Sequence, residues 1–326
     1  TQFFLNSGLC GLLMSFLRSF WKFSRPHTII ATTISILSIS FCAVHTIEEF
    51  SEPRVLIAVA LAIVSSLCIN VYIVGLNQLF DIPIDVINKP TLPLANGEFS
   101  VRTGWTIVLS CLSVGLALGY SFGTVPLWWT LFLTMFLGGQ RYIPNCNCQR
   151  FPLLAAFCIL AVRGVFVQIG FYFHIRTVVA GYRPIDYQVF LCGISSWPQL
   201  TPSVVFASLF VIVFSIVIAL FKDIPDVEGD EKHSIRSFSV RMGVPRVFQW
   251  CLHILILDYA LGVAVGFWAA TRWSQFLTTA IHASLAAVAW RRASKVSLKN
   301  QASLTKYYMF LWKLFYLEYL IFPLVR

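Results

Sequence analysis

Charge is scarce in this sequence. Only 12% of its 326 residues are Asp, Glu, Lys or Arg, whereas a soluble domain carries about a quarter. Acidic residues are fewest, 14 against 24 basic ones, which gives a formal net charge of +10. Cysteine pairing is also missing. The nine cysteines, Cys10, Cys42, Cys68, Cys111, Cys146, Cys148, Cys158, Cys192 and Cys251, stand singly in apolar runs except for Cys146 and Cys148. They form no disulfide ladder, lack the two paired CxxC arms of a structural zinc site, and read as packing thiols. The six histidines are equally dispersed, and no close internal repeat is visible.

What the chain has instead is apolar length: 58% of it is hydrophobic. The charges collect in short segments between runs of roughly 17 to 25 apolar residues, the length that a bilayer core demands of a helix. The runs fall near 28–47, 55–80, 103–122, 125–139, 152–174, 201–221, 247–268, 274–290 and 307–325. This pattern predicts an all-α, polytopic membrane protein, a bundle of about nine transmembrane helices forming a single domain over 1–326. Residues 1–17, ahead of the first charge at Arg18, are expected to be a disordered remnant near a targeting segment.

Nine spans would place the N-terminal segment and every second loop on one membrane face. Seventeen of the 24 basic residues then lie on that face and five on the other, with Arg163 and Lys313 inside spans. The positive-inside rule makes the basic face the cytoplasm-equivalent one. Basic loops meeting anionic headgroups account for the net charge without any nucleic acid partner.

Acidic residues break the pattern. Eight of the fourteen sit in two loops on the basic face: Asp81, Asp85 and Glu98, then Asp223, Asp226, Glu228, Asp230 and Glu231. If the second helix persists to Asp85, then Asn77, Asp81 and Asp85 stack on one face at four-residue spacing. Asp226 and Asp230 repeat the spacing, and Asp223 adds a carboxylate three residues earlier. Like charges so crowded require a cation. Magnesium fits, since it takes one or two carboxylates and completes its shell with water and substrate phosphates. Lys222, Arg236 and Arg150 lie on the same side and could neutralise phosphate oxygens. A single such motif reads first as a solvated helix end; two on one face, each with a basic neighbour, reverse that and favour a cation and phosphate site.

Arg163 interrupts the fifth apolar run. An arginine there costs roughly 3 kcal/mol on the insertion scale and needs a polar cavity or a partner. A role in substrate binding and a role as glue between helices are both open. Trp128, Trp129 and several phenylalanines in spans could shield a carbocation, although membrane belts use the same residues. A cation-coupled carrier is the alternative from another class, but carriers place their site near the bilayer midplane, and these carboxylates crowd one surface.

At these residues the sequence resembles the UbiA superfamily of intramembrane prenyltransferases, and within it the plant homogentisate phytyltransferase and phenolic prenyltransferase group. The resemblance rests on Lys22-Phe23-Ser24-Arg25-Pro26-His27-Thr28, on Asn77-Gln78-Leu79-Phe80-Asp81 followed by Asn88-Lys89-Pro90, and on Cys158-Ile159-Leu160-Ala161-Val162-Arg163. Lys222-Asp223-Ile224-Pro225-Asp226 through Ile235-Arg236-Ser237-Phe238, and Trp312-Lys313-Leu314-Phe315-Tyr316, extend it over nearly the whole chain. It implies nine helices around a lipid-open cavity in a plastid membrane. It also implies transfer of a prenyl group from an isoprenoid diphosphate to a phenolic ring carbon, of homogentisate or of a flavonoid or coumarin. Asp81, Asp85, Asp226 and Asp230 would hold Mg2+, with Asn77 and Asp223 assisting; Lys222 and Arg236 would bind phosphate and Arg25 would line the entrance. Two stretches depart from the family pattern. Arg141 to Arg150 has Gln149 where relatives carry a lysine, and Val179 to Leu200 is longer than the family's loop.

Overall fold

A computed structural model describes residues 2–139, 157–158, 160–181, 200–269 and 271–325. Its long elements are helices, and no strand occurs among the described residues. In chain order they are α1 (Gln2–Phe23), α2 (Pro26–Ala43), α3 (Ile47–Ser51), α4 (Pro53–Phe80), α5 (Ile82–Asn88), α6 (Val101–Phe122) and α7 (Val125–Gly139). A π-helical turn (Ala161–Phe166) leads into α8 (Val167–Val179). Then come α9 (Pro202–Phe221), α10 (Val227–Lys232), α11 (Phe238–Met242), α12 (Val244–Gly266), α13 (Arg272–Ala293) and α14 (Gln301–Ile321), closed by a 3-10 turn (Phe322–Leu324). In lipid every backbone polar group must be satisfied within its own segment, which leaves the helix as the outcome for such runs. Helix starts are written in the sequence. Pro26, Pro53 and Pro202 open α2, α4 and α9, where a missing N–H costs nothing. Ser100, Thr271 and Asn300 cap α6, α13 and α14 through bonds from Thr103, Ser274 and Ser303.

The structure bears on two expectations. Five helices among the described residues, α2, α4, α6, α9 and α12, are long and apolar enough to cross a membrane, so a count of nine spans is not established. The others dilute their apolar character: α7 has 15 residues, α13 ends in Arg291 and Arg292, and α13 and α14 share a buried His282–Glu318 pair at 3.2 Å. The fifth run lies partly outside the described residues. Residues 2–17 are helical rather than an unstructured remnant, since they belong to α1, Gln2–Phe23. Its C-terminal half is anchored by aromatic contacts, with the rings of Phe16 and Phe23 lying 5.4 and 5.8 Å from that of Phe99.

The helices pack around one large apolar core. α4 lies between α2 and α6, α2 touches α8 and α14, and α9 packs against α12 and the π-helical turn. Small residues permit the closest approaches, as membrane bundles require: a Cβ on Gly164 would fall 2.1 Å from Ile212 of α9. Aromatic rings fill the centre, Phe214 against Phe315 at 5.2 Å and Phe315 against Tyr319 at 5.1 Å.

This packing brings the C-terminal ends of α4 and α9 to the same end of the bundle. There α5 and α10 touch, and the Gly229 N–H donates to Asn88 Oδ1 at 3.0 Å. Gln301, at the start of α14, donates to the Pro225 carbonyl at 2.8 Å, and Lys22 of α1 reaches Glu98 at 2.8 Å. At the other end Arg176 donates to the Ala43 carbonyl at 3.2 Å. Single cysteines placed at Thr91 and Glu231 should therefore react with a membrane-impermeant thiol reagent from the same side of sealed vesicles. Labelling from opposite sides would contradict this arrangement.

Candidate functional site

The first acidic motif does not continue α4 as one helix. α4 ends at Phe80, Asp81 sits at the break with φ −98° and ψ 12°, and α5 restarts at Ile82. Pro83 accounts for the break, since its ring has no N–H and collides with the carbonyl four residues earlier. The four-residue register nevertheless survives: Asp81 N–H bonds the Asn77 carbonyl at 2.9 Å and Asp85 N–H bonds the Asp81 carbonyl at 2.8 Å. Asn77, Asp81 and Asp85 therefore still line one cavity.

The second motif is built the same way. α9 ends at Phe221, Pro225 stands in the turn, and Asp226 sits at the N-terminus of α10. Asp230 N–H bonds the Asp226 carbonyl at 3.0 Å. Gly229 is needed where the motifs meet, since a Cβ there would lie 2.4 Å from Asn88 Oδ1, the oxygen that accepts the Gly229 N–H.

Lys89 joins the two motifs. Its ammonium donates to Asp226 Oδ2 and lies 3.7 Å from Asp85 Oδ1. The carboxylates around it are electrostatically loaded. Burial pushes the Asp85 carboxyl above the usual range; Lys89 and Arg25 oppose the shift, and Asp81 and Asp226 add to it. Asp230 is pushed up to about 6, first by burial and then by the neighbouring Asp223.

The cavity enclosed by these elements measures about 1780 Å³. Its lining includes Asn77, Asp81, Asp85, Asp223, Asp226 and Asp230, together with Lys222, Arg236 and Arg25. Arg25 adopts a left-handed backbone, φ 51°, at the start of α2, which costs a non-glycine residue about 1 kcal/mol or more. Sequence reasoning gave no site role to Lys89, Arg241, Lys306 or Tyr308, which also line the cavity. Lys89 carried a signal, as a basic residue four positions after Asp85. Arg163 is not part of this lining; it stacks over the Trp312 ring at 4.9 Å, deeper in the bundle. Arg150, Gln149 and the long stretch after Val179 lie largely outside the described residues.

Among the described residues no three carboxylate, imidazole or thiol groups converge closely enough to hold a metal ion. Lys89 occupies the space between Asp85 and Asp226. The donor set still fits a hard divalent cation, because Asp85 Oδ2 is buried without a hydrogen-bond partner and all the acids supply oxygen. Such a cation would complete its shell from substrate rather than from a protein cage.

A family model, the UbiA prenyltransferase family, matches residues 33–314. The chain belongs to the UbiA prenyltransferase family. Membership sets aside the carrier alternative. Among plant relatives, the chain is 46% identical over 312 residues to homogentisate phytyltransferase 1, chloroplastic, of Arabidopsis thaliana, covering 95% of this chain and 76% of that one. It is 38% identical over 312 residues to naringenin 8-dimethylallyltransferase 2, chloroplastic, of Sophora flavescens, covering 95% and 73%. A UbiA homologue from Archaeoglobus fulgidus, bound to GPP and Mg2+, shares the fold with a TM-score of 0.59 at 14% identity, over 94% of this chain and 99% of that one.

The electrostatics predict opposite responses in metal-free protein. Lys89→Met removes the cation between two carboxylates and should cost about 1 kcal/mol, since the ammonium is one-third exposed. Asp230→Asn should stabilise. The folded pKa of about 6 lies above the unfolded value, so the charged form opposes folding at neutral pH, and the gain should fade as pH falls through 6 towards about 4. Thermal unfolding in detergent with EDTA checks both; equal stability of Asp230→Asn and the parent at pH 7.5 would contradict the assignment.

Proposed function

We propose that this family member acts as a single domain in a plastid membrane and transfers a prenyl group from an isoprenoid diphosphate to a ring carbon of a phenolic acceptor, with Mg2+ at the two acidic motifs. One observation carries the reading: two separate carboxylate motifs and a set of lysines and arginines line one cavity at one end of an apolar bundle. The A. fulgidus homologue bound to GPP and Mg2+ and relatives named for transfer to homogentisate or naringenin support it.

In this reading Asp81, Asp85, Asp226 and Asp230 hold Mg2+, with Asn77 and Asp223 assisting. Bound there, Mg2+ supplies Lewis-acid neutralisation of the charge that develops on the leaving diphosphate. Lys222, Arg236 and Arg25 grip phosphate oxygens and fix the diphosphate at the cavity mouth. Lys89 leaves the space between Asp85 and Asp226 and turns to phosphate. The allylic carbon–oxygen bond breaks, the electron-rich ring carbon forms the new carbon–carbon bond, and the ring proton leaves with the departing diphosphate as its acceptor. Apolar walls such as Ile216, Leu220 and Met309 keep water from the developing cation.

Asp81→Ala and Asp226→Ala should each lower prenyl transfer by a factor of roughly 10² to 10³ or more, with normal membrane expression. Glu98→Ala, which removes a surface pairing to Lys22 and Ser19, should keep activity. The assay is transfer to a panel of phenols with magnesium titrated from zero. Normal turnover and magnesium dependence in both aspartate variants would overturn the assignment.

A further inference from the structure

The C-terminal helices bury a second pair of acids, away from the cavity. Asp258 and Tyr259 of α12, His282 of α13 and Glu318 of α14 are each at most 1% exposed, and none of them lines the cavity. Asp258 lies in the far half of α12, Val244–Gly266, about 20 Å along the helix from the end that carries the acidic motifs. α12 and α13 meet here with nothing between them: a Cβ on Gly262, one turn after Asp258, would fall 2.3 Å from the His282 ring. Phe206 and Phe210 of α9 close another side, their rings 5.8 and 5.6 Å from that of His282. Charge in such surroundings has no water to solvate it and must find its compensation within the bundle.

Two of the three charged groups compensate each other. His282 Nδ1 donates to the Thr278 carbonyl at 2.7 Å, which leaves Nε2 to face Glu318 Oε2 at 3.2 Å. Wherever the proton between imidazole and carboxylate sits, that pair is neutral as a whole. Asp258 is not so provided. Neither of its oxygens has a hydrogen-bond partner. No lysine, arginine or histidine nitrogen lies within 4.0 Å of it among the described residues, and the ionisable group that acts on it is the carboxyl of Glu318, of the same sign. A buried carboxylate is not sustained without a counter-ion. Protonation removes the charge but leaves an O–H with no acceptor, which burial also penalises.

We propose that Asp258 and Glu318 hold one alkali cation, Na+ or K+, where α12, α13 and α14 meet. A single positive charge balances the one carboxylate that His282 leaves over. A divalent ion would exceed that balance, and among the described residues no three carboxylate, imidazole or thiol groups converge to cage one. An alkali ion needs only oxygen. The two carboxylates supply it, the Tyr259 hydroxyl lies beside Glu318, and water can complete the shell. The ion ties together helices that also carry cavity-lining residues, Trp250 on α12 and Tyr308 and Met309 on α14. It is thus a structural ion of the fold and takes no part in the chemistry at the acidic motifs.

The test is thermal unfolding of the purified full chain in detergent with EDTA, at constant ionic strength, with Na+, K+ or N-methyl-D-glucamine as the sole cation. Three proteins are compared: the parent, Asp258→Asn and Asp226→Asn. The parent should melt about 4 °C or more higher in at least one alkali salt than in N-methyl-D-glucamine. Asp258→Asn should lose that difference, whereas Asp226→Asn, altered at the acidic motifs, should keep it. Where Asp258→Asn fails to fold, equilibrium binding of radioactive sodium and rubidium to the parent and to Asp226→Asn stands in, with one ion per chain expected in both. Equal melting of the parent in the three salts would mean that Asp258 carries a proton only, and would overturn the inference. A difference that Asp258→Asn retains or Asp226→Asn abolishes, or the absence of any bound ion, would overturn it as well.

Discussion

Crowding of carboxylates at the contact between two short helices is the constraint on which the rest of the structure depends. α5 and α10 each emerge from a long apolar helix after a proline break, and each carries acids at four-residue spacing. Asn88 and Gly229 bring them together at a distance that tolerates no additional carbon. Repulsion on that scale is tolerable only with a cation present, and the Lys89 ammonium fills that role between Asp85 and Asp226. Burial raises the Asp85 and Asp230 carboxyls, and the neighbouring carboxylates add to the shift; in the proposed reading a divalent ion shared with a diphosphate relieves that crowding.

The surrounding scaffold keeps this contact in register. The segment between α5 and α6, which begins with Lys89, is held from two directions. Leu94 and Phe99 pack with Phe23 and Val108 in a small apolar cluster, and Glu98 accepts hydrogen bonds from Ser19 and Lys22 of α1. On the other motif, Gln301 of α14 bonds the Pro225 carbonyl. Helices distant in sequence thus pin both acidic turns, while the membrane-spanning part supplies an apolar enclosure beneath them. In the proposed reading, binding and exclusion of water are divided between the two regions.

Both motifs and their shared face were legible from the sequence because they depend on local spacing and on the scarcity of charge elsewhere. Four-residue spacing does not decide whether the helix continues past Asp81; Pro83 breaks the backbone there, and the register survives through hydrogen bonds across the break. Lys89 was visible as a charge but not as a bridge, since its second partner, Asp226, lies 137 positions away and only tertiary packing brings them together. Arg163 was recognised as costly, yet a linear pattern could not show that it stacks on Trp312 from α14. Length and apolarity alone mark five spans among the described residues; α13, which ends in Arg291 and Arg292 and buries His282 against Glu318 of α14, falls outside them because hydropathy cannot tell a paired interior charge from a loop. α1 was missed for the opposite reason: its anchoring contacts with Phe99 lie far away in sequence.

The central claim is that the two motifs form one site in which diphosphate and magnesium bind together. Isothermal titration of the purified full-length protein with Mg2+, with and without a non-reactive prenyl thiodiphosphate, tests it directly. Linkage requires each ligand to strengthen the other by the same factor. The account predicts strong mutual enhancement that is lost in both Asp81→Ala and Asp226→Ala. Prenyl thiodiphosphate binding equally tightly with and without Mg2+, or enhancement that persists when either motif is removed, would contradict it.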